Sequence, residues 1–253
     1  MPSEFQEMTW KPVHVIGRDR PSAWVIVCDH ATNTVPPDVA NGSLDISEKD
    51  MSRHIAYDVG AAGVAIRLAE LLDAPAVLSN FSRLVIDPNR GEDDPTLVMR
   101  LYDGTIIPAN RNINQDDIEQ RLRLCYRPYH AAIAELATHR QNTALLSIHS
   151  FTPQLRGRAL RPWHAGFLHA DDTRLSEAAA NLLRADPQWC VGLNVPYSGK
   201  LAGDTIDKHA IRHHRQNTLI ELRSDLIEKE AGQLEWAERL ANLMPKALEE
   251  AEK

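Results

Sequence analysis

Cysteine is scarce in this 253-residue chain: Cys28, Cys125 and Cys190 stand far apart, and no two form a C-x-x-C pair. A zinc ribbon and a thioredoxin-type redox site are thereby excluded, and the odd count predicts a reducing compartment. Long apolar runs are missing as well. None approaches the roughly 18 residues that a membrane span needs, and the opening MPSEFQEMTWKPVHV has no apolar stretch behind a basic one. Neither a spanning helix nor a secretory signal is expected. Positive charge is in deficit: 28 Lys+Arg against 35 Asp+Glu leave a net −7, which argues against a dedicated nucleic-acid binder. No internal repeat or low-complexity linker divides the chain. These absences predict a cytoplasmic protein, folded as one domain over residues 1–253, with a core that needs no disulfide or metal to hold it. What is in excess is histidine, 11 in all, several of them at the ends of apolar runs.

The apolar pattern alternates between two periods. Residues 23–29, 76–79, 144–148, 165–169 and 217–222 are short apolar runs that read as buried strands. Between them lie helical patterns. One starts at Ser47, with Asp50 three residues on as in a capping box, and continues through Met51, Ile55, Val59, Ala62, Ile66 and Ala69 at helical steps. Others cover about 116–140, with a break expected at Pro128, then about 173–184 and 231–250. Residues 80–115 are irregular and rich in Asp, Asn, Pro and Gly, as long functional loops are. Strands alternating with helices predict an α/β fold, a mixed but largely parallel sheet flanked by helices.

Ligands of such sheets bind beyond the carboxyl ends of the strands. Asp29-His30 follows the first strand, His149-Ser150 follows the 144–148 strand, and Glu221 is an acid inside an otherwise apolar run. Two imidazoles and one carboxylate at one sheet edge suit zinc, with the carboxylate as general base. A catalytic zinc takes three protein ligands. His54 and Asp58, four apart on one helical face, are the candidates for the third; Asp58 is preferred and His54 is the alternative. The bland readings are a capped surface histidine, a solvated His54–Asp58 pair, and a salt bridge from Glu221 to Arg223.

The segments CDHATNTVP (28–36), RHIAYDVGA (53–61), SRLVIDPNR (82–90), DGTIIPAN (103–110), RPYH (127–130), SIHSFTP (147–153), RPWHAGFL (161–168) and IELRSDL (220–226) resemble, in order, the N-formylglutamate amidohydrolase family. The resemblance covers about residues 22–245. It implies a phosphorylase/hydrolase-like, zinc exopeptidase-like α/β fold and one zinc ion, with other divalent metals as alternatives. It implies His30 and His149 as histidine ligands and Glu221 as base. The zinc carboxypeptidases place their acid ligand three residues after the first histidine, where this chain has Asn33, a poor ligand; the muramoyl amidases take it from the following helix, which favours Asp58. Asn89-Arg90 resembles a carboxylate-binding pair, and Arg83 is a second candidate for substrate charge or for polarising the amide oxygen. Arg156, Arg158 and Arg161 follow His149 and are expected around the site, with Arg158 on the substrate. Residues 204–215 read as a mobile loop in which His209 lines the pocket and His213 and His214 are solvated. The implied reaction is hydrolysis of a small anionic N-acyl amino acid, N-formyl-L-glutamate first. Another N-acyl amino acid, a small peptide, a cell-wall amide, or a non-catalytic metal- or carboxylate-binding role stay open beside it.

Overall fold

The computed structural model describes residues 10–140 and 142–253. Residues 1–9, which entered the reading of the N-terminus, lie outside the described part. The strands are β1 (Val13–Ile16), β2 (Trp24–Cys28), β3 (Ala76–Ser79), the short pair β4 (Leu101–Tyr102) and β5 (Thr105–Ile106), then β6 (Ala144–Phe151), β7 (Ala165–Leu168), β8 (Val191–Leu193) and β9 (Asn217–Arg223). The helices are α1 (Glu48–Met51), α2 (Ala61–Leu71), α3 (Gln115–Arg121), α4 (Arg127–Thr138), α5 (Arg174–Arg184), α6 (Thr205–His209) and α7 (Glu230–Ala251). No helix among the described residues is long and apolar enough to cross a membrane.

Seven strands form one mixed sheet in the order β1-β3-β2-β6-β9-β7-β8. β3, β2, β6 and β9 are mutually parallel, whereas β1 and β7 run antiparallel to their neighbours β3 and β9. The chain leaves β2 toward β3 on one side and returns to β6 on the other. That makes the carboxyl ends of β2 and β6 a topological switch point, where α/β sheets hold ligands.

Side chains alternate between the two faces of each strand. Trp24, Ile26 and Cys28, Leu146 and Ile148, and Ile220 and Leu222 join the core under α2, α5 and α7. Val25 and Val27, Leu145 and Leu219 join the opposite core, under α4. Ser147, His149 and Glu221 fall in the same alternating set as Leu145 and Leu219, so they belong to the second face. The irregular 80–115 segment covers that face at the carboxyl end of the sheet, and the cleft opens there.

The sequence expectation of one continuous helix through residues 47–69 is corrected. Ser47 caps a single turn, accepting from the Asp50 N–H, and α1 stops at Met51. Residues 52–60 are not helical, and α2 begins only at Ala61. The cause is tertiary. The Asp58 N–H donates to the His30 carbonyl at 3.0 Å, and Gly60 takes a left-handed φ of 79°. His54 and Asp58 therefore do not share a helical face. The break expected near Pro128 is present as a π-helical turn over Leu122–Tyr126 between α3 and α4, where proline has no N–H for the ladder. β6 extends through Phe151, so His149 lies within its strand rather than beyond it. Residues 204–215 are largely helical turns, α6 and a 3-10 turn at 211–213, in place of the expected loop.

A Cβ on Gly60 would stand 2.1 Å from the Ile227 carbonyl oxygen, in addition to the cost of its positive φ. We expect Gly60→Ala to lower stability by about 1–3 kcal/mol, measured by urea unfolding; an unchanged midpoint would contradict the constraint.

Candidate metal centre and active-site cleft

Three elements converge at the switch point. His30 follows β2 by two residues, Asp58 comes from the turn before α2, and His149 sits in β6; all three are buried. His30, Asp58 and His149 each offer a ligand atom, and these atoms lie within 4.8 Å of one another. The Asp58 Oδ2 faces His30 Nδ1 at 3.3 Å and His149 Nδ1 at 2.9 Å. It also accepts from the Ser150 N–H at 3.1 Å. The two rings meet edge to face, with centroids 4.9 Å apart.

The far side of each ring is held by another carboxylate. His30 Nε2 faces Asp87 Oδ1 at 2.7 Å, and His149 Nε2 faces Asp29 Oδ2 at 2.9 Å. This is the arrangement that metal-binding histidines adopt: the outer N–H donates to a carboxylate, which sets the tautomer and turns the other nitrogen toward the ion. Asp87 in turn receives Arg83 Nη2 at 2.8 Å. One carboxylate and two inward-facing imidazole nitrogens form a donor set suited to zinc.

The charges follow from burial and pairing. Burial alone would raise the Asp58 carboxyl, but the His30 charge and hydrogen bonds from both histidines hold it far below the carboxylate range. Burial would likewise lower the His149 imidazole, yet hydrogen bonds from Asp29 and Asp58 raise it well above its ordinary value.

Glu221 is paired in register with His149 across β6 and β9. Its carboxyl is buried, Oε2 has no hydrogen-bond partner, and burial pushes its pKa up to about 7. Arg223, the sequence candidate for a salt bridge to it, turns instead to Asp225 at 2.8 Å.

His30, Asp58, His149 and Glu221 line a cleft of about 240 Å³. That is below the roughly 300–1,000 Å³ of drug-sized sites, so the cleft suits a small ligand. Arg83, Asn89 and Arg90 are on its wall. Arg83 lies over the Tyr102 ring at 5.5 Å, and Arg90 is anchored by Thr96 Oγ1 and by the Asn89 carbonyl. His54 also lines the cleft, but its Nε2 lies 3.4 Å from Asp103 Oδ2 and it is not in the His30–Asp58–His149 cluster. Arg158 is exposed and His209 is buried against His130, so neither is on the wall. Arg156 is exposed too, and Arg161 stacks on Tyr197 and Phe151 instead of lining the cleft.

Sequence reasoning missed Tyr102, Tyr197, Lys200 and Asp204 on the wall, and Asp29 and Asp87 behind the histidines. Asp204 is buried, and that burial raises it to about 7. The two outer carboxylates were readable in principle. Asp29 precedes His30 directly, and Asp87 sits inside the quoted 82–90 segment.

Sheet and site together define an α/β protein with a His–Asp–His cluster beside a buried acid at the switch point of its sheet. A sequence model of the N-formylglutamate amidohydrolase family matches residues 22–228, and the chain belongs to that family. Among solved structures, a gene product of Agrobacterium tumefaciens is 33% identical, with a TM-score of 0.90 over 96% of this chain and 97% of that one. An N-formylglutamate amidohydrolase from Ralstonia eutropha JMP134 is 20% identical, with a TM-score of 0.72 over 96% and 98% of the two chains, and shares the fold. No curated protein matches the chain significantly.

The ionisable groups of the cluster carry a pH signature. His149, raised in the fold, contributes stability that is fully present below its unfolded pKa near 6.5 and lost as pH rises through the folded value. Raised Glu221 acts in the same direction, from about 4.3 upward. Depressed Asp29 and Asp58 contribute stability present above about 3.9 and lost as pH falls through their folded values. In chelator, the urea midpoint should decline across the alkaline range, as pH rises above about 6.5. A midpoint that rises across that range would contradict the charge assignment.

Proposed function

We propose that this amidohydrolase cleaves a small anionic N-acyl amino acid, with N-formyl-L-glutamate as the leading substrate and formate and L-glutamate as products. One observation carries the reading: Glu221 is a buried carboxyl without a hydrogen-bond partner at Oε2, in register with His149 of the His–Asp–His cluster and open to the same small cleft. An unpaired buried acid is costly and serves no packing purpose. Beside a bound metal ion it would serve as a proton carrier. Family membership and the size and charge of the cleft support the substrate class.

His30, Asp58 and His149 would hold one zinc ion. When bound, the ion supplies Lewis acidity, bringing water's pKa toward about 7 and polarising an amide carbonyl. The chain's own groups do the rest. Glu221 takes a proton from water as the oxygen bonds to the acyl carbon. It then passes that proton to the amide nitrogen as the C–N bond breaks, so the acid and the amine leave balanced. Asp87 and Asp29 keep both rings oriented throughout. Arg90 and Asn89 take a substrate carboxylate, for which a planar guanidinium offers two parallel donors. Arg83, already neutralised on one side by Asp87 and Asp58, faces the cleft to steady charge on the amide oxygen.

Glu221→Gln should retain zinc and lower kcat about 10²–10⁴-fold on N-formylglutamate. An unchanged kcat would remove Glu221 as the base. Chelation should abolish turnover and zinc return should restore it, with other N-acyl amino acids assayed alongside. Asp58→Ala should weaken zinc at least about tenfold, whereas His54→Ala should keep it bound. Full zinc affinity in Asp58→Ala would move the third ligand elsewhere.

A further inference from the structure

Behind the metal cluster, Asp29 is saturated. Its Oδ2 accepts from His149 Nε2 and from the Ser147 hydroxyl, each at 2.9 Å; its Oδ1 accepts from the Tyr129 hydroxyl at 2.9 Å and from the Thr205 hydroxyl. A carboxylate has about four lone-pair sites, and all are filled. Asp29, Ser147, Tyr129 and Thr205 are fully buried, so none of these donors is interchangeable with bulk water.

Thr205 differs from the other donors in where it comes from. It opens α6, far along the chain from β2 and β6, and it makes two separate connections. Its single hydroxyl proton goes to Asp29, the Pro88 carbonyl being farther away at 3.5 Å. Its backbone N–H donates to Asn89 Oδ1 at 3.2 Å. The rest of α6 grips the same 88–90 segment. Lys208 Nζ reaches the Arg90 carbonyl at 3.4 Å, and His209 hydrogen-bonds His130, which faces the Pro88 carbonyl at 3.0 Å. α6 therefore ties the segment that presents Asn89 and Arg90 to the carboxylate that aims His149.

We infer that Thr205 is a positioning residue for the metal centre, acting through Asp29 on His149 and holding the Asn89 side of the cleft to that centre. The inference rests on the zinc reading above. Removing the hydroxyl leaves Asp29 Oδ1 with Tyr129 alone and lets the carboxylate turn, so the Nδ1 of His149 is no longer fixed toward the ion. Removing the hydroxyl leaves the backbone N–H to Asn89 in place. The two connections are thus separable by one substitution.

The test uses the full chain, zinc ion alone, and competition against a chromogenic chelator. Thr205→Val should weaken zinc about tenfold to a hundredfold, the range seen for outer partners of metal-binding histidines. Thr205→Ser, which keeps the hydroxyl, should bind within about twofold of the unsubstituted protein. At saturating zinc, Thr205→Val should keep its KM for N-formylglutamate within about twofold, because the Asn89 contact is main-chain. If valine fails to fold by circular dichroism, Thr205→Ala takes its place. Equal zinc affinity in the valine or alanine variant and the unsubstituted protein would overturn the role of Thr205. Serine as weak as valine would also overturn it. Absence of zinc binding in the unsubstituted protein would instead overturn the zinc reading itself.

Discussion

The arrangement depends on one oxygen. Asp58 Oδ2 stands between the Nδ1 atoms of His30 and His149 and takes a backbone N–H from Ser150 as well. An acid in that position, nearly without solvent, must be ionised and compensated, because an unpaired buried charge costs several kcal/mol or more. Both rings must therefore turn the same nitrogen toward it. Their opposite nitrogens then need acceptors of their own, which Asp87 and Asp29 provide. Arg83, Tyr129, Ser147 and Thr205 in turn satisfy those acids. Each layer exists because the one inside it leaves a polar group to be satisfied.

This nested demand also explains the local backbone. Asp58 reaches the cluster only because residues 52–60 abandon the helix, with the Asp58 N–H fastened to the His30 carbonyl and Gly60 turning left-handed before α2 starts. A continuous helix would satisfy propensity and carry the carboxylate elsewhere. The irregular 80–115 segment is a similar case. Periodicity is weak there because its residues serve the site: Arg83, Asp87, Asn89, Arg90 and Tyr102 line or brace the cleft, while Leu84, Val85 and Ile86 pack beneath it.

Charge inside the cleft runs against the charge of the chain as a whole. The protein is net acidic, yet Arg83, Arg90 and Lys200 line the cleft wall. The acids that face them are not free anions. Asp58 and Asp87 are paired, and Glu221 and Asp204 are pushed toward neutrality by burial. Net charge reports solubility and long-range field, whereas the local balance sets what the cleft admits.

Much of the fold was legible in the residues. The strands at 24–28, 76–79, 144–151, 165–168 and 217–223 stand out because a sheet covered on both faces needs continuous apolar runs. His30, His149 and Glu221 stood out because polar residues at the ends of such runs have no packing reason to be there. The edge strands β1 and β8 did not stand out; they are short and only half-buried, so their pattern is weak. Residue types and strand order thus determined, from sequence alone, an α/β sheet with two histidines and an acid at one edge. Tertiary structure alone decided how Asp58 reaches them from a turn and not a helix, that Arg158 and His209 stay off the cleft wall, and that Thr205 closes the network from behind. The physical reason is common to all three. Each depends on satisfying buried polar atoms between segments far apart in the chain, and neither local periodicity nor propensity records such pairings.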